Sequence, residues 1–249
     1  TLGDPAAIGP DICVMMAESY ITKNHIIITD PSLLEESSKK LKIKIRMNLL
    51  NQSNSKTKGG NRVINVLPIE ISAKNTPGKM NPKNASFVMN TIETAAKGCI
   101  RGDFIAMVTG PISKSILNKG GFKISGHTEY LAELCKSKSI MMLMNDKLKV
   151  TLQTIHIPLA RVSQEITKDK IIEKVKIINN DLISKFGYKK PKILLCGLNP
   201  HAGEDGLLGD EEIKAMEPAV RSLRKMGVKI DGPVPADTAF IKKLVSQYD

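Results

Sequence analysis

Ile193-Leu194-Leu195-Cys196-Gly197-Leu198-Asn199-Pro200-His201-Ala202-Gly203-Glu204-Asp205-Gly206-Leu207-Leu208-Gly209 runs from an aliphatic segment into a glycine-rich loop that carries a histidine. Aliphatic residues closed by Asn-Pro read as a strand delivered into a loop. Loops at the carboxyl ends of strands are where α/β enzymes keep their chemistry. Working outward, short apolar runs at 25–29, 43–47, 62–67, 104–108, 140–144, 150–154 and 193–198 are strand candidates. Longer amphipathic stretches separate them, the pattern of an α/β protein with a largely parallel sheet.

Two helices are especially well marked. Over 84–100, Val88, Ile92, Ala95 and Cys99 recur at three- and four-residue spacing, and Gly102 is a stop signal. Over 168–186, Ile171, Val175, Ile178 and Leu182 share one face, with Thr167 as N-cap and Gly187 beyond the end. The polar, glycine-containing stretch 51–61 reads as a surface loop. Thr109-Gly110-Pro111, after the apolar run FIAMV and before a short helix starting near Ile112, reads as a domain boundary. It separates a first domain over 1–110 from a second beginning at 111. No internal repeat is visible.

Composition narrows the class. With 41% hydrophobic residues in 249, the chain can bury a substantial core. No apolar run is long enough to span a membrane, and TLGDPAAIGP lacks the basic start and apolar middle of a signal peptide. The expectation is a cytoplasmic globular protein without a membrane partner. Net charge is +12, but the lysines are spread along the whole chain, and no Trp and only five Phe supply stacking platforms. A general lysine bias explains the charge better than a nucleic-acid partner. Cys13, Cys99, Cys135 and Cys196 lie far apart without CxxC spacing and are expected to be buried free thiols.

The four histidines sit in four different contexts. His25 opens the apolar run HIIIT, where a structural or surface role is the stronger reading. His127 lies in Ser125-Gly126-His127-Thr128-Glu129 ahead of an amphipathic run. Unpaired N–H groups there could bind an anion or hydroxyl. An incidental histidine on a capped helix is the alternative, and spacing does not separate the two. His156 follows the run VTLQT and precedes Ile157-Pro158, so it belongs at the carboxyl end of a strand. His201 occupies an equivalent place, and the pair converges if their strands are neighbours. Two imidazoles alone are a partial metal site, because catalytic zinc takes three protein ligands.

Around these lie polar residues with two readings each. Glu204 and Asp205 could orient His201 from the outer shell, whereas Asp210, Glu211 and Glu212 read as helix caps. Gly232-Pro233-Val234-Pro235-Ala236 reads as a rigid turn that delivers Asp237 and Thr238, with a helix cap as the alternative role for both. The loop Gly3–Asp11 is neither a GxGxxG fingerprint nor a P-loop. Lys114, in Thr109-Gly110-Pro111-Ile112-Ser113-Lys114, could approach an anionic group, although lysines at helix starts are mostly solvated.

Taken together, GDPAAIGPDI, TGPISK, SGHTEYLA, MML, TIHIPL, LNPHAGEDGLLGDEE and GPVPADTAF resemble, in order and spacing, the 4-hydroxythreonine-4-phosphate dehydrogenase family of pyridoxal phosphate biosynthesis. The resemblance covers essentially the whole chain, and NPHAGE with GHTE is its most specific part. It implies an isocitrate/isopropylmalate dehydrogenase-like architecture of two α/β/α domains with a cleft between them. The second domain would span 111–239, and 240–249 would begin the return to the first, incomplete domain. It also implies a homodimer with the active site at the interface, NAD as cofactor, and a divalent metal, commonly zinc, with magnesium or cobalt as alternatives.

His156 and His201 match two of the family's three metal-ligand histidines, and His127 and Thr128 match its substrate-binding pair. Lys114 would join them at the substrate, and Asp237 would serve as an outer-shell or proton-transfer group. The implied reaction oxidises the C3 hydroxyl of 4-phosphooxy-L-threonine with NAD. The resulting 3-keto acid loses carbon dioxide to give 3-amino-2-oxopropyl phosphate. Related phosphorylated sugar acids, such as phosphothreonate or phosphoerythronate, are the alternative substrates, and a non-catalytic phospholigand-binding homologue is the alternative function. The family's third ligand lies in a YHDQ-like motif after the PADT segment, and an HGTA-like region follows later. This sequence stops at Tyr248-Asp249, and Ala7 replaces the usual glycine in the first motif, so a fragment of a longer enzyme is expected.

Overall fold

The computed structural model describes residues 1–18, 24–51, 56–124 and 126–249. These form two compact units, 1–139 and 140–249. Residues 52–55 of the expected polar loop and Ser125 of the SGHTE motif lie outside the described set.

The first unit contains α1 (Gly9–Met16), β1 (Ile26–Thr29), α2 (Pro31–Leu41), β2 (Arg46–Leu49), β3 (Val63–Pro68), α3 (Ala85–Arg101), α4 (Lys114–Lys119) and α5 (His127–Leu134). Its strands form a parallel sheet in the order β1-β3-β2. The central strand β3 is apolar on both faces, as a covered parallel sheet requires, except at Asn65. Asn65 is fully buried, and its side chain is bonded throughout. Its carbonyl oxygen accepts from Asn48 Nδ2 (2.8 Å) and the Lys58 N–H (2.7 Å), and its amide nitrogen donates to the Lys58 and His25 carbonyls.

Helix α3 forms where its apolar stripe predicts, burying Val88, Ile92 and Ala95, and ends at Gly102 in the left-handed conformation (φ 83°). Full burial of Val88 or Ile92 stabilises the fold by about 1.5–3 kcal/mol each. Ile112, Leu117, Tyr130 and Leu131 pack on the same core as α3. That packing groups 111–139 with the first unit.

No strand forms over 104–108. At its ends the Phe104 N–H donates to the Gly98 carbonyl (3.3 Å) and the Thr1 amino group donates to the Val108 carbonyl (2.7 Å), while the Thr1 carbonyl accepts from Gly110. Ile105 and Val108 stay exposed. Apolar character makes a strand only where a ladder partner exists.

The second unit contains β4 (Met142–Met144), β5 (Lys149–Thr151), α6 (Val162–Glu165), α7 (Lys168–Ser184), β6 (Lys192–Cys196), α8 (Glu217–Lys225), β7 (Lys229–Val234) and α9 (Lys242–Val245), with a π-helical turn at Glu212–Met216 leading into α8. The β4–β5 pair is antiparallel, and β6–β7 is parallel with a register shift between Leu194 and Cys196. Helix α7 is capped by Thr167, whose hydroxyl accepts the Lys170 N–H, and it buries the expected Ile171, Val175, Ile178 and Leu182. Together with Val220 and Leu223 of α8 and Ile230 of β7, Ile171 and Val175 build the core.

The segment read as a rigid turn at 232–236 begins inside β7, because Gly232 and Pro233 sit in a ladder with β6 that already departs from regular register. The thiols also depart from expectation. All four are free, but Cys135 is exposed and the others are only partly covered. Among the described residues no helix is long and apolar enough to cross a membrane.

Candidate active site

In the first unit, the amino-terminal loop and the TGP segment meet backbone to backbone. The Asp4 N–H donates to the Pro111 carbonyl (2.9 Å), and a Cβ on Gly110 would lie 2.0 Å from the Leu2 carbonyl oxygen, so only glycine permits this approach. Asp4 is buried, and its carboxylate accepts from the Ala6 N–H; burial raises its pKa. Ser113 then caps α4, its hydroxyl accepting the Ile116 N–H, and Lys114 opens that helix exposed to solvent.

Gly126 is the N-cap of α5, so His127 and Thr128 occupy its first turn, where N–H groups lack helical partners. The Lys114 ammonium and a Glu129 carboxylate oxygen lie 3.4 and 2.8 Å from where a Cβ on Gly126 would sit. The structure thus brings Lys114, Gly126 and Glu129 together. His127 is half-buried, burial lowers its pKa, and its Nε2 has no partner among the described residues. That nitrogen is itself buried, an unpaired polar atom inside the protein. Behind it, Tyr130 of α5 donates to Glu93 of α3 (2.7 Å), holding the helix on the core.

In the second unit, β5 and β6 are not paired in one sheet, yet both line a single cavity of about 400 Å³ with α7. His156 follows β5 and His201 follows β6, and both side chains are exposed. His156 adopts a left-handed backbone (φ 56°), uncommon for a residue with a Cβ. Before it, the Lys174 ammonium of α7 donates to the Leu152 (2.9 Å) and Gln153 (2.7 Å) carbonyls. Burial lowers the Lys174 pKa.

The His201 loop is organised by Asn199. Its side-chain oxygen accepts the N–H groups of His201 (3.0 Å) and Gly203 (3.2 Å), and its amide donates to the Leu208 carbonyl. Glu204 lies 3.6 Å from His201 Nδ1, which fits an orienting carboxylate. The Asp237 N–H reaches the Pro200 carbonyl (3.4 Å), so this exposed carboxylate stands beside the histidine loop.

Of the three acidic residues read as caps, Glu212 is different. It is 3% exposed and turned inward, with Oε1 accepting the Leu198 N–H (2.7 Å). Gly197 and Gly203 make room for it, since Cβ atoms there would lie 3.0 and 2.8 Å from its two oxygens. Asp210 pairs instead with Lys214, and Glu211 accepts from Ser163. The glycine spacing around NPHAG was the available signal for a buried group, and it does not reveal which acid is buried.

Among the described residues, no three His, Cys, Asp or Glu side chains gather as a metal-holding group. His156 and His201 therefore do not complete a zinc site by themselves. Nor does any described loop carry the glycine fingerprint of a dinucleotide cradle.

Comparison with known proteins places these motifs in context. The family model described as pyridoxal phosphate biosynthetic protein PdxA matches residues 22–249. A 4-hydroxythreonine-4-phosphate dehydrogenase from Methylococcus capsulatus is 38% identical over 249 residues, covering 100% of this chain and 76% of its own length. One of the same name from Colwellia psychrerythraea is 41% identical over 250 residues, covering 100% and 77%. The crystal structure of the Klebsiella pneumoniae 4-hydroxythreonine-4-phosphate dehydrogenase superposes with a TM-score of 0.91 at 30% identity, over 100% of this chain and 78% of that one.

Proposed function

The chain belongs to the family of the pyridoxal phosphate biosynthetic protein PdxA, and on that basis we propose that it oxidises the C3 hydroxyl of 4-phosphooxy-L-threonine with NAD. The observation that carries the reading is identity near 40% along the whole chain, with GHTE at the start of α5 and NPHAGE on the loop that follows β6. NAD, when bound, would supply the hydride acceptor for C3, and the resulting 3-keto acid would release carbon dioxide to leave 3-amino-2-oxopropyl phosphate.

The protein's own groups have separable tasks. Lys114 and the first-turn N–H groups of α5 attract the substrate phosphate, while His127 and Thr128 orient the substrate by hydrogen bonds. Asp237 receives the hydroxyl proton as hydride leaves, which keeps charge balanced at C3. His156 and His201 supply two ligands for a divalent metal, zinc foremost. Bound there, the metal would act as a Lewis acid on the substrate oxygens. We further propose a homodimer with the active site at its interface, residues 111–239 as the domain bearing the site, and the cytoplasm as the place of work. Four unpaired thiols suit a reducing compartment.

The test is NADH formation with 4-phosphooxy-L-threonine by the full natural chain loaded with zinc. Absence of turnover would sink the proposal. Phosphothreonate and phosphoerythronate run in parallel assign the substrate, and light scattering gives the oligomeric state.

A further inference from the structure

Each histidine loop of the second unit is anchored from behind by one charged side chain. On the His156 side, the Lys174 ammonium, borne by a seventeen-residue helix, holds the Leu152 and Gln153 carbonyls as β5 runs out toward the histidine. On the His201 side, the carboxylate of Glu212, from the π-helical turn, holds the Leu198 N–H as β6 runs out. The charges match the groups they meet, a cation on carbonyl oxygens and an anion on an amide hydrogen. Such charge-assisted bonds are stronger than neutral ones.

Neither group is explained by local helix stability. Lys174 lies in mid-helix, away from the carboxyl end where a lysine complements the dipole. Glu212 is almost fully buried, with one oxygen lacking a partner among the described residues, an expensive arrangement for a capping residue. A π-helical turn is itself an irregularity often found at functional sites. Two glycines yield their side-chain space to this carboxylate.

We infer that Lys174 and Glu212 are positioning residues that hold the backbone from which His156 and His201 project into the active site. The inference rests on the proposed role of those two histidines. Neither clamp touches the substrate. Each acts through main-chain groups, so its loss displaces a loop while leaving the histidine itself present.

The experiment uses the full natural chain carrying Lys174→Met, Lys174→Arg, Glu212→Leu or Glu212→Gln, with Val220→Ala as a control that disturbs only the core. Met and Leu remove the clamp and are expected to lower kcat by roughly 10- to 100-fold with smaller changes in KM, the scale of a misplacement near 1 Å. Arg can still donate to two carbonyls and Gln can still accept an N–H, so both should recover most of the activity. Val220→Ala should lower the melting temperature without lowering kcat of the folded fraction.

Hydrogen exchange provides a readout independent of turnover. Peptides covering 152–158 in Lys174→Met and 197–206 in Glu212→Leu should each exchange about tenfold faster, with the other loop unchanged. Wild-type kcat together with unaltered exchange in the Met and Leu variants would overturn the inference, as would an equal kcat loss in Val220→Ala. If the wild type makes no NADH with any of the three substrates, the functional proposal falls, and the exchange measurement alone decides the clamps.

Discussion

Gly203 and Gly187 form a natural pair for measuring how tightly the His201 loop is built. Both have a left-handed φ, 77° and 78°. A Cβ on Gly187 would meet nothing within 4 Å, whereas one on Gly203 would lie 2.8 Å from both the Glu212 carboxylate and the Gly209 carbonyl oxygen. Alanine at either site incurs the left-handed penalty of about 1–2 kcal/mol. The gain from a stiffer unfolded chain is common to both and cancels. Gly203→Ala must in addition displace Glu212, whose bond to the Leu198 N–H is charge-assisted and worth about 1.5–3 kcal/mol. Gly203→Ala should therefore be less stable than Gly187→Ala by about 2 kcal/mol. In a chain of this size that corresponds to a further fall of about 4–8 °C in melting temperature. Differential scanning calorimetry of both variants under one buffer condition measures the difference. Equal melting temperatures would refute the buried carboxylate beneath the loop.

Other expectations follow from single contacts. Asp237→Asn keeps the backbone bond to Pro200 but removes the proton acceptor, so kcat/KM in the NADH assay should fall by roughly 10²- to 10⁴-fold. Leu223→Ala, at a site with no solvent exposure, should cost about 2–5 kcal/mol by urea unfolding. Asp30 caps α2 and accepts from Ser32 and the Ile71 N–H; burial pushes its pKa up, but these bonds outweigh it and the net shift is downward. Its stabilisation is therefore present above the unfolded carboxyl pKa of about 3.9 and is lost as pH falls through the lower folded value. Urea midpoints between pH 6 and pH 3 should decline less steeply in Asp30→Asn than in the wild type.

The elements readable from sequence were those whose signals are local. Stripes at helical spacing, with Thr167 before and Gly102 or Gly187 after, identified α3 and α7 because a helix satisfies its own backbone. Strands depend on partners elsewhere in the chain. FIAMV at 104–108 has the composition of a strand yet lacks a ladder, whereas β7 has one despite Gly232 and Pro233. The histidine loops were legible as strand-end loops, and so was the approach of His127 to a helix start. Glu212 was not, because position beside a helix start suggests a cap while the side chain's direction is set by the space Gly197 and Gly203 leave. The two lysines show the same limit. Lys114 and Lys174 look alike in a lysine-rich chain, and only the fold shows that one is solvated while the other grips two carbonyls.

Asn65 gives the first unit a checksum. It faces Ile26 on one side of β3 and Asn48 on the other, and its amide bonds Asn48 and the His25 carbonyl beside those registers as well as the Lys58 backbone. An aliphatic residue there would slide past its neighbours with little change in buried area. An amide cannot, since a slip of one residue in either pairing would carry it away from these partners and turn it to the opposite face. One polar residue in an otherwise greasy strand thus rejects misaligned sheets, a form of proofreading that operates while the chain is still assembling.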